Sequence, residues 1–520
     1  MPKKLLSPPR LARRLQSLCA EGDIDGAVTM LKNMPLDTQT PFVWNTLMQE
    51  CMRVGRYKLA YKLFTDMKRR GVQPTTKTYD TMLYGLSYIQ NWDEWTLLLE
   101  NAHYLYDNLM KHYELVKQVD PESKELEIDP LASYIRILAS IGDYQKIWDI
   151  YRALDKDGPL APNNIIYTAM FTALATRKAI RGQPDWTVPA LNAAEARLLW
   201  TQMMSHLGGS SEFPADSHTV ASVLRCLAYG RAADHLLGMD IAQNVLGLAK
   251  PGETPSVPKV ALHAQSLGAV LALCNNMRAE RTCIHFARQV MNKPRKFHDK
   301  SMVDRGHINQ VLKAYASLAG SGDATASSEA MQLLDWLMRE DLKSGGGAMW
   351  PNMQSFNFVL VACQHCKDWQ RAIRVFEIMT GYHGPDFLQP SKLPTRRSSR
   401  HFYFPHATTM TFMGRCALAT GDGVNIRQCL RIVRHMQLGR VIKSSGLSNP
   451  EEDSSASKAQ LHRYHGPVIE LATTVLDMLK ALNQERGHKR EDIADSWKTL
   501  EAEARRLMQG QIAAPLHSSY

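Results

Sequence analysis

The chain has 520 residues, with 62 Lys plus Arg against 51 Asp plus Glu, a formal charge of +11, and 44% hydrophobic residues. That is enough apolar material to bury a core, which excludes disorder throughout. No stretch reaches the roughly 18 uninterrupted apolar residues of a membrane span, so transport and receptor roles fall away and no membrane span is expected. The moderate positive charge permits a polyanionic partner without requiring one.

In chain order, the first 20 residues carry Lys3, Lys4, Arg10, Arg13 and Arg14 with no acid before Glu21, the bias of an organelle-targeting presequence. From Leu11 onward the same residues also fit a structural helix. Pro41 to Thr75 then reads as a unit: a helix carrying Val43, Trp44, Leu47, Met48 and Cys51, a turn at Gly55, and a second helix with Ala60, Phe64 and Met67 on one stripe. Gly55 suits a left-handed turn and Pro74 blocks further helix. The same stripe returns at Ala27, Leu31, Met34; at Ile147, Tyr151, Leu154; at Ala196, Trp200, Met203; at Ala330, Leu334, Leu337; at Ala372, Phe376, Met379; and at Cys429, Val433, Met436. A constant offset joins the turn position to the first stripe residue at Gly22 and Ala27, Gly55 and Ala60, Gly142 and Ile147, Lys367 and Ala372. The pattern blurs around Ala242 to Ala249 and Cys283 to Val290.

A single helix pair cannot cover its apolar face, so such units must stack. The expected fold is therefore all-α, a right-handed α-solenoid of stacked helix-turn-helix repeats whose first helices line one concave surface. The stripes themselves are read as core. The expected division is a repeat solenoid with insertions over residues 1–440, a flexible linker over 441–461, and a C-terminal helical segment over 462–520. Within the solenoid, Asp120 to Asp129 reads as a solvated acidic loop. Lys392, Arg396, Arg397, Arg400 and His401 beside Phe402, Tyr403 and Phe404 read either as a nucleic-acid contact or as a plain basic surface loop.

No catalytic chemistry stands out. The nine cysteines are odd in number and scattered, which reads as a reduced interior. Cys363 and Cys366 form a CxxC, but no second ligand pair sits at a fitting distance, so no metal site is expected. Gly345-Gly346-Gly347 lacks the Lys of a phosphate loop. The chain is read as a non-enzyme without a cofactor.

Two segments resemble a known family. Phe42-Val43-Trp44-Asn45-Thr46-Leu47-Met48, followed by Gly55-Arg56, Ala60-x3-Phe64-x2-Met67 and Gly71-Val72-Gln73-Pro74, closely resembles a pentatricopeptide repeat. Asn352 to Met379 is similar, and a Pro plus small polar residue precedes units at Pro162-Asn163 and Pro351-Asn352. The W-x2-L-G-x2-Y signature of tetratricopeptide repeats is absent. The resemblance covers most of residues 8–440, strongly in about three repeats and loosely elsewhere.

The resemblance implies sequence-selective binding of single-stranded RNA, one base per repeat, read by residues at the fifth and last positions of a unit. Carried over, these are Asn45 and Thr75, Asp80, Ala132 and Asn163, Thr168, Asn352 and Asn357 with His406, and Thr411. In the family Asn at the fifth place goes with pyrimidines and Thr with purines. Ala12, Ala132 and Val220 fall at reading positions without a hydrogen-bonding group, so an unbroken register along the whole chain is not expected. Outside plants the family works mainly in mitochondria, fungal members included, in RNA maturation, stability, splicing, translation or small-subunit ribosome assembly. The implied partner is a mitochondrial transcript or rRNA precursor, with mitochondrial ribosomal proteins as further candidates. The rival reading is a protein-binding helical-repeat scaffold, for example in mitochondrial ribosome assembly.

Overall fold

The computed structural model describes residues 6–177, 187–208, 213–292, 302–344, 347–390, 392–397, 401–444, 458–485 and 494–509. Lys3, Lys4, Gly345, Gly346, Arg400 and residues 445–457 of the expected linker lie outside them. Among the described residues the fold is all-helical, apart from one isolated bridge between Tyr382 and Arg396. The chain forms two compact units, Met1–Leu248 with Pro255–Leu273, and Ala249–Thr254 with Cys274–Tyr520.

The first unit is a run of helix pairs: α1 (Pro8–Ala20) and α2 (Ile24–Lys32), α3 (Pro41–Arg53) and α4 (Tyr57–Arg69), α5 (Thr76–Leu86) and α6 (Thr96–Val119), α7 (Asp129–Ile141) and α8 (Tyr144–Ala153), α9 (Asn164–Thr176) and α10 (Thr187–Leu207), α11 (Ser217–Leu227) and α12 (Ala232–Asp240), which runs on into a π-turn. It also takes in α13 (Ala264–Asn276) as far as Leu273. Each first helix packs on the next, α1 on α3, then α5, α7, α9 and α11. A first helix is therefore buried on two sides: Trp44, Leu47, Met48 and Cys51 of α3 have no exposure at all. The second helices bury one stripe, as Ala60, Leu63, Phe64 and Met67 of α4 do. Ion pairs tie successive second helices on their outer side, Lys32 to Asp66 at 2.6 Å and Arg197 to Asp234 at 2.8 Å.

The second unit repeats the scheme with α14 (Glu280–Met291), α15 (Arg305–Gly320) and α16 (Ala326–Ser344), α17 (Met353–His365) and α18 (Trp369–Thr380), α19 (Ala407–Thr420) and α20 (Gly423–Met436), and α21 (Leu438–Ser444). Then come α22 (Lys458–Glu485) and α23 (Ala494–Met508). Helix α22 opens at Lys458, inside the span read as linker, and its Leu471, Ala472, Val475 and Met478 are fully buried where it packs on α19 and α20. It thus closes the end of the stack instead of standing apart. Gly414 lets the two helices approach, because a Cβ there would lie 2.6 Å from the Thr474 side chain.

The repeat frame holds in detail. Gly22, Gly55, Gly142 and Lys367 all adopt the left-handed conformation, with φ of 89°, 76°, 82° and 55°. Arg278, five residues before Cys283, does the same at φ 57°, so the blurred stretch contains the turn in a form that glycine counting misses. The stripe residues are buried except Met34, Tyr151 and Leu154, which are half-buried.

The acids of the segment before α7 are all exposed, as a solvated loop requires, while its backbone is anchored: Thr76 donates to Glu125 O at 2.6 Å, Tyr113 donates to Glu127 O, and Leu126 and Ile128 are buried. In the basic segment after α18, Lys392, Arg396 and Arg397 are exposed, and the first two also contact the fold. Arg396 Nε donates to Thr380 O at 3.0 Å and its guanidinium lies over the rings of Tyr382 and Phe402, while Arg440 lies over Phe404. Lys392 pairs at 2.7 Å with the buried Asp386, which also accepts from Thr395 N and Oγ1.

Lys392 first, and then Thr395, hold the Asp386 carboxyl well below the ordinary carboxylate range. A depressed folded pKa means the unfolded chain takes up the proton first, so this stabilisation is complete above about pH 4 and is lost as pH falls further. Asp386→Asn is expected to lower the melting temperature at pH 7, with the gap to the parent narrowing as melts are repeated below pH 4. A constant gap across that range would assign the effect to something other than the charge.

Candidate nucleic-acid interface

The first helices start on polar caps. Thr75, Asn163, Asp216, Asp304 and Asn352 stand at the N-caps of α5, α9, α11, α15 and α17. Asn163 Oδ1 accepts from Ile166 N at 3.1 Å, Asp216 from Thr219 N at 2.8 Å, Asp304 from His307 N at 3.0 Å and Asn352 from Ser355 N at 3.0 Å. The last-position residues of the sequence reading, Thr75, Asn163 and Asn352, are thus helix caps, because their short side chains satisfy otherwise orphaned N–H groups.

Counting from these caps, and from Thr40 and His406 before α3 and α19, gives one frame, while α7, whose cap is Ile128, is aligned by its turn instead. The third residue points into the stack: Thr78, Thr219, Ser355 and Thr409 have no exposure. The second, fifth and ninth residues are three and four apart and share one face. On α3 these are Phe42, Asn45 and Gln49; on α5 Lys77, Asp80 and Tyr84; on α9 Ile165, Thr168 and Thr172; on α11 His218, Ala221 and Arg225. Matching the left-handed Gly142 to Gly55 places Asp129, Ala132 and Arg136 in this frame on α7. In the second unit the fifth and ninth residues are Asn309 and Lys313 on α15, Asn357 and Val361 on α17, and Thr411 and Arg415 on α19. The second residues are exposed on the five helices named from the first unit and the ninth are half-exposed to exposed throughout, so this face is the open one.

The fifth residues sit between adjacent first helices and bond to the third residue of the next. Thr168 shares a hydrogen bond with Thr219 at 2.5 Å, Asn309 Oδ1 accepts from Ser355 Oγ at 2.6 Å, and Asn357 Oδ1 accepts from Thr409 Oγ1 at 2.8 Å. Asp80 is paired with Lys77 at 2.6 Å. Asn45 differs: it is 8% exposed and its Oδ1 has no partner, because the corresponding Thr78 is taken up by its own cap, Thr75. A buried acceptor left unmade costs about 1–3 kcal/mol unless something donates to it.

Some expected positions do not reach this face. Thr411 has no exposure and its hydroxyl donates to Ala407 O at 2.9 Å, so it offers no group to a ligand here. Val220 is core, and the cap at Asp216 moves the fifth place to Ala221, which is also apolar. His406 caps α19 without a side-chain bond, and burial lowers its pKa. Asn309, Asp216 and Asp304 were missed; the spacing Asp304 to Asn309 matches Asn352 to Asn357, a signal obscured by the Gly-His opening of α15.

In the first unit the same face forms an open cleft of 380 Å³ lined by residues that include Arg136, Thr168, Thr172, Asp216, His218 and Arg225. Asp216 is engaged by Thr219 through both N and Oγ1. Neither Arg136 nor Arg225 is in an ion pair with a described residue, whereas Arg415 in the second unit pairs with Glu470 at 3.5 Å. The nine thiols are unbridged, Cys363 has no exposure with burial pushing its pKa up, and Cys366 donates to Asp323 O at 3.4 Å. Among the described residues no helix is long and apolar enough to cross a membrane.

Residues 39–87 match the PPR repeat family. The matched PPR segment runs from the approach to α3 to the end of α5, and so contains Phe42, Asn45, Thr75, Asp80 and Tyr84. No curated protein sequence matches the chain. Among solved structures the chain is similar to the pentatricopeptide repeat protein PPR10 from maize, at 13% identity over 98% of this chain and 84% of that one, with a TM-score of 0.35. It is also similar to PPR10 in complex with an 18-nt psaJ RNA element, at 13% identity over 98% and 80%, with a TM-score of 0.24.

Proposed function

We propose that the protein binds single-stranded RNA along the open face of its first helices and performs no chemistry on it. What carries this is the row in the first unit: hydrogen-bonding groups at the fifth place of α3, α5 and α9 (Asn45, Asp80 and Thr168), exposed side chains at the second, and cations at the ninth of α7 and α11, Arg136 and Arg225. Unpaired bases need edge contacts and phosphates need positive charge, and the row supplies both on one side of the stack. By the resemblance of the segment from Phe42 to Pro74 to its family, the proposed setting is mitochondrial, with a role in organelle RNA maturation, stability, splicing or small-subunit rRNA processing.

Oligonucleotide binding with each base type tests this. Asn45→Ala is expected to change the preference between pyrimidine and purine oligonucleotides by about 1–2 kcal/mol. Unchanged preference together with unchanged affinity removes Asn45 from the interface.

A further inference from the structure

Tyr84, the ninth residue of the frame on α5, is joined by Tyr88 in a surface pair. Both are large, aromatic and open to solvent, 49% and 60% exposed. Their ring centroids lie 5.2 Å apart at an interplanar angle of 86°, and their hydroxyls share a hydrogen bond of 2.5 Å. Tyr84 is the ninth residue from the cap of α5, on the face that carries Lys77 and Asp80, and Tyr88 follows one turn later just beyond the helix end. Two side chains that normally rotate freely are thus locked against each other on the surface, with ring faces left uncovered.

The surroundings say what such a pair would take. Helix α5 packs on α7, and the Arg136 guanidinium of α7 is near enough for its charge to act on the Tyr88 phenol. Arg136 also lines the cleft that leads on to Arg225. An aromatic face beside a cation on a polyanion-binding groove suits a flat ring joined to a phosphate, because stacking tolerates any base and the charge holds the backbone. The hydroxyl–hydroxyl bond fixes both rings beforehand, so little rotamer entropy remains to be lost on binding.

We propose that Tyr84 and Tyr88 form a stacking platform for one unpaired nucleobase of the bound RNA, with Arg136 on the adjoining phosphate. This rests on the RNA reading above and adds a contact that depends on a base being present and not on which base it is. It differs in kind from the edge contacts of Asn45 and Thr168, which discriminate between bases.

The test uses the full chain and short single-stranded oligonucleotides, uniform in base, with and without abasic sites at successive positions. Tyr84→Ala and Tyr88→Ala are each expected to weaken binding of intact oligonucleotides about tenfold, equally for every base type. On the oligonucleotide whose abasic site falls at the platform, the same variants are expected to bind as the parent does. Tyr84→Phe, which keeps the ring face and removes the hydroxyl bond, is expected to recover most of the affinity, and melting curves should be unchanged because both residues are exposed. Alanine variants that bind intact oligonucleotides as the parent does overturn the platform. So does an equal loss on intact and abasic oligonucleotides at every position, the mark of a folding effect or of a site for another kind of partner. Failure of the parent chain to bind any oligonucleotide defeats the RNA reading itself, a distinct result.

Discussion

Replacing Arg136 and Arg225 together by Ala is expected to weaken single-stranded RNA binding about 100-fold at low salt, since each charge-assisted contact contributes roughly 1.5 kcal/mol. The plot of log affinity against log salt should also become flatter by about 1.4, roughly 0.7 for each phosphate no longer neutralised on a single strand. Both arginines line the same cleft and neither is in an ion pair with a described acid. Arg225 is exposed and donates to Ser222 Oγ at 3.0 Å, so its loss should hardly affect folding. Affinity falling without a change in slope would show that the arginines act through the fold and not on phosphate. The Lys58, Lys62, Lys68 and Arg69 cluster lies on α4, a second helix, and its removal is expected to leave the slope nearly as it was.

Trp44→Ala should be the most damaging single change to stability. Trp44 has no exposure and anchors α3, which packs on α1, α4 and α5. Truncation of a buried Trp costs about 3–5 kcal/mol, and in a stack where each pair leans on its neighbours the loss spreads to the adjoining repeats. Trp44→Phe should cost only about 1–2 kcal/mol, because Trp44 Nε1 is buried without a hydrogen-bond partner and its removal relieves an unmet donor. Chemical denaturation of the two variants checks the order. Equal losses would contradict the account of Trp44 as a ring-filling anchor.

The architecture was legible because it repeats. A stripe such as Ala60, Phe64 and Met67 means little once, but the same spacing at Ala372, Phe376 and Met379, with a left-handed residue five places before each, admits one arrangement. The turn rule is general enough to hold where the residue is Lys367, at the cost of strain. What the sequence hid was the use to which polar groups are put. Thr75, Asn163 and Asn352 read as base-reading residues, and the structure uses each of them to cap a helix. Thr411 fits the spacing and is nonetheless enclosed, with its hydroxyl turned back on Ala407 O, a tertiary fact with no local signal. Lys392 and Arg396 are exposed, as a basic surface loop requires, but their contacts with Asp386, the Thr380 carbonyl and neighbouring rings have no local signal. Arg136 and Tyr84 were invisible for the opposite reason: position nine of a first helix acquires meaning only when adjacent helices place it on the open face.

Crosslinking tests the central claim most directly. The full chain is bound to single-stranded RNA containing 4-thiouridine, irradiated, digested and mapped by mass spectrometry. Crosslinks are expected on the open face of the first helices, at or beside Phe42, Lys77, Tyr84, Ile165 and His218. Crosslinks confined to the second helices, such as α4, α6 or α10, would contradict the account.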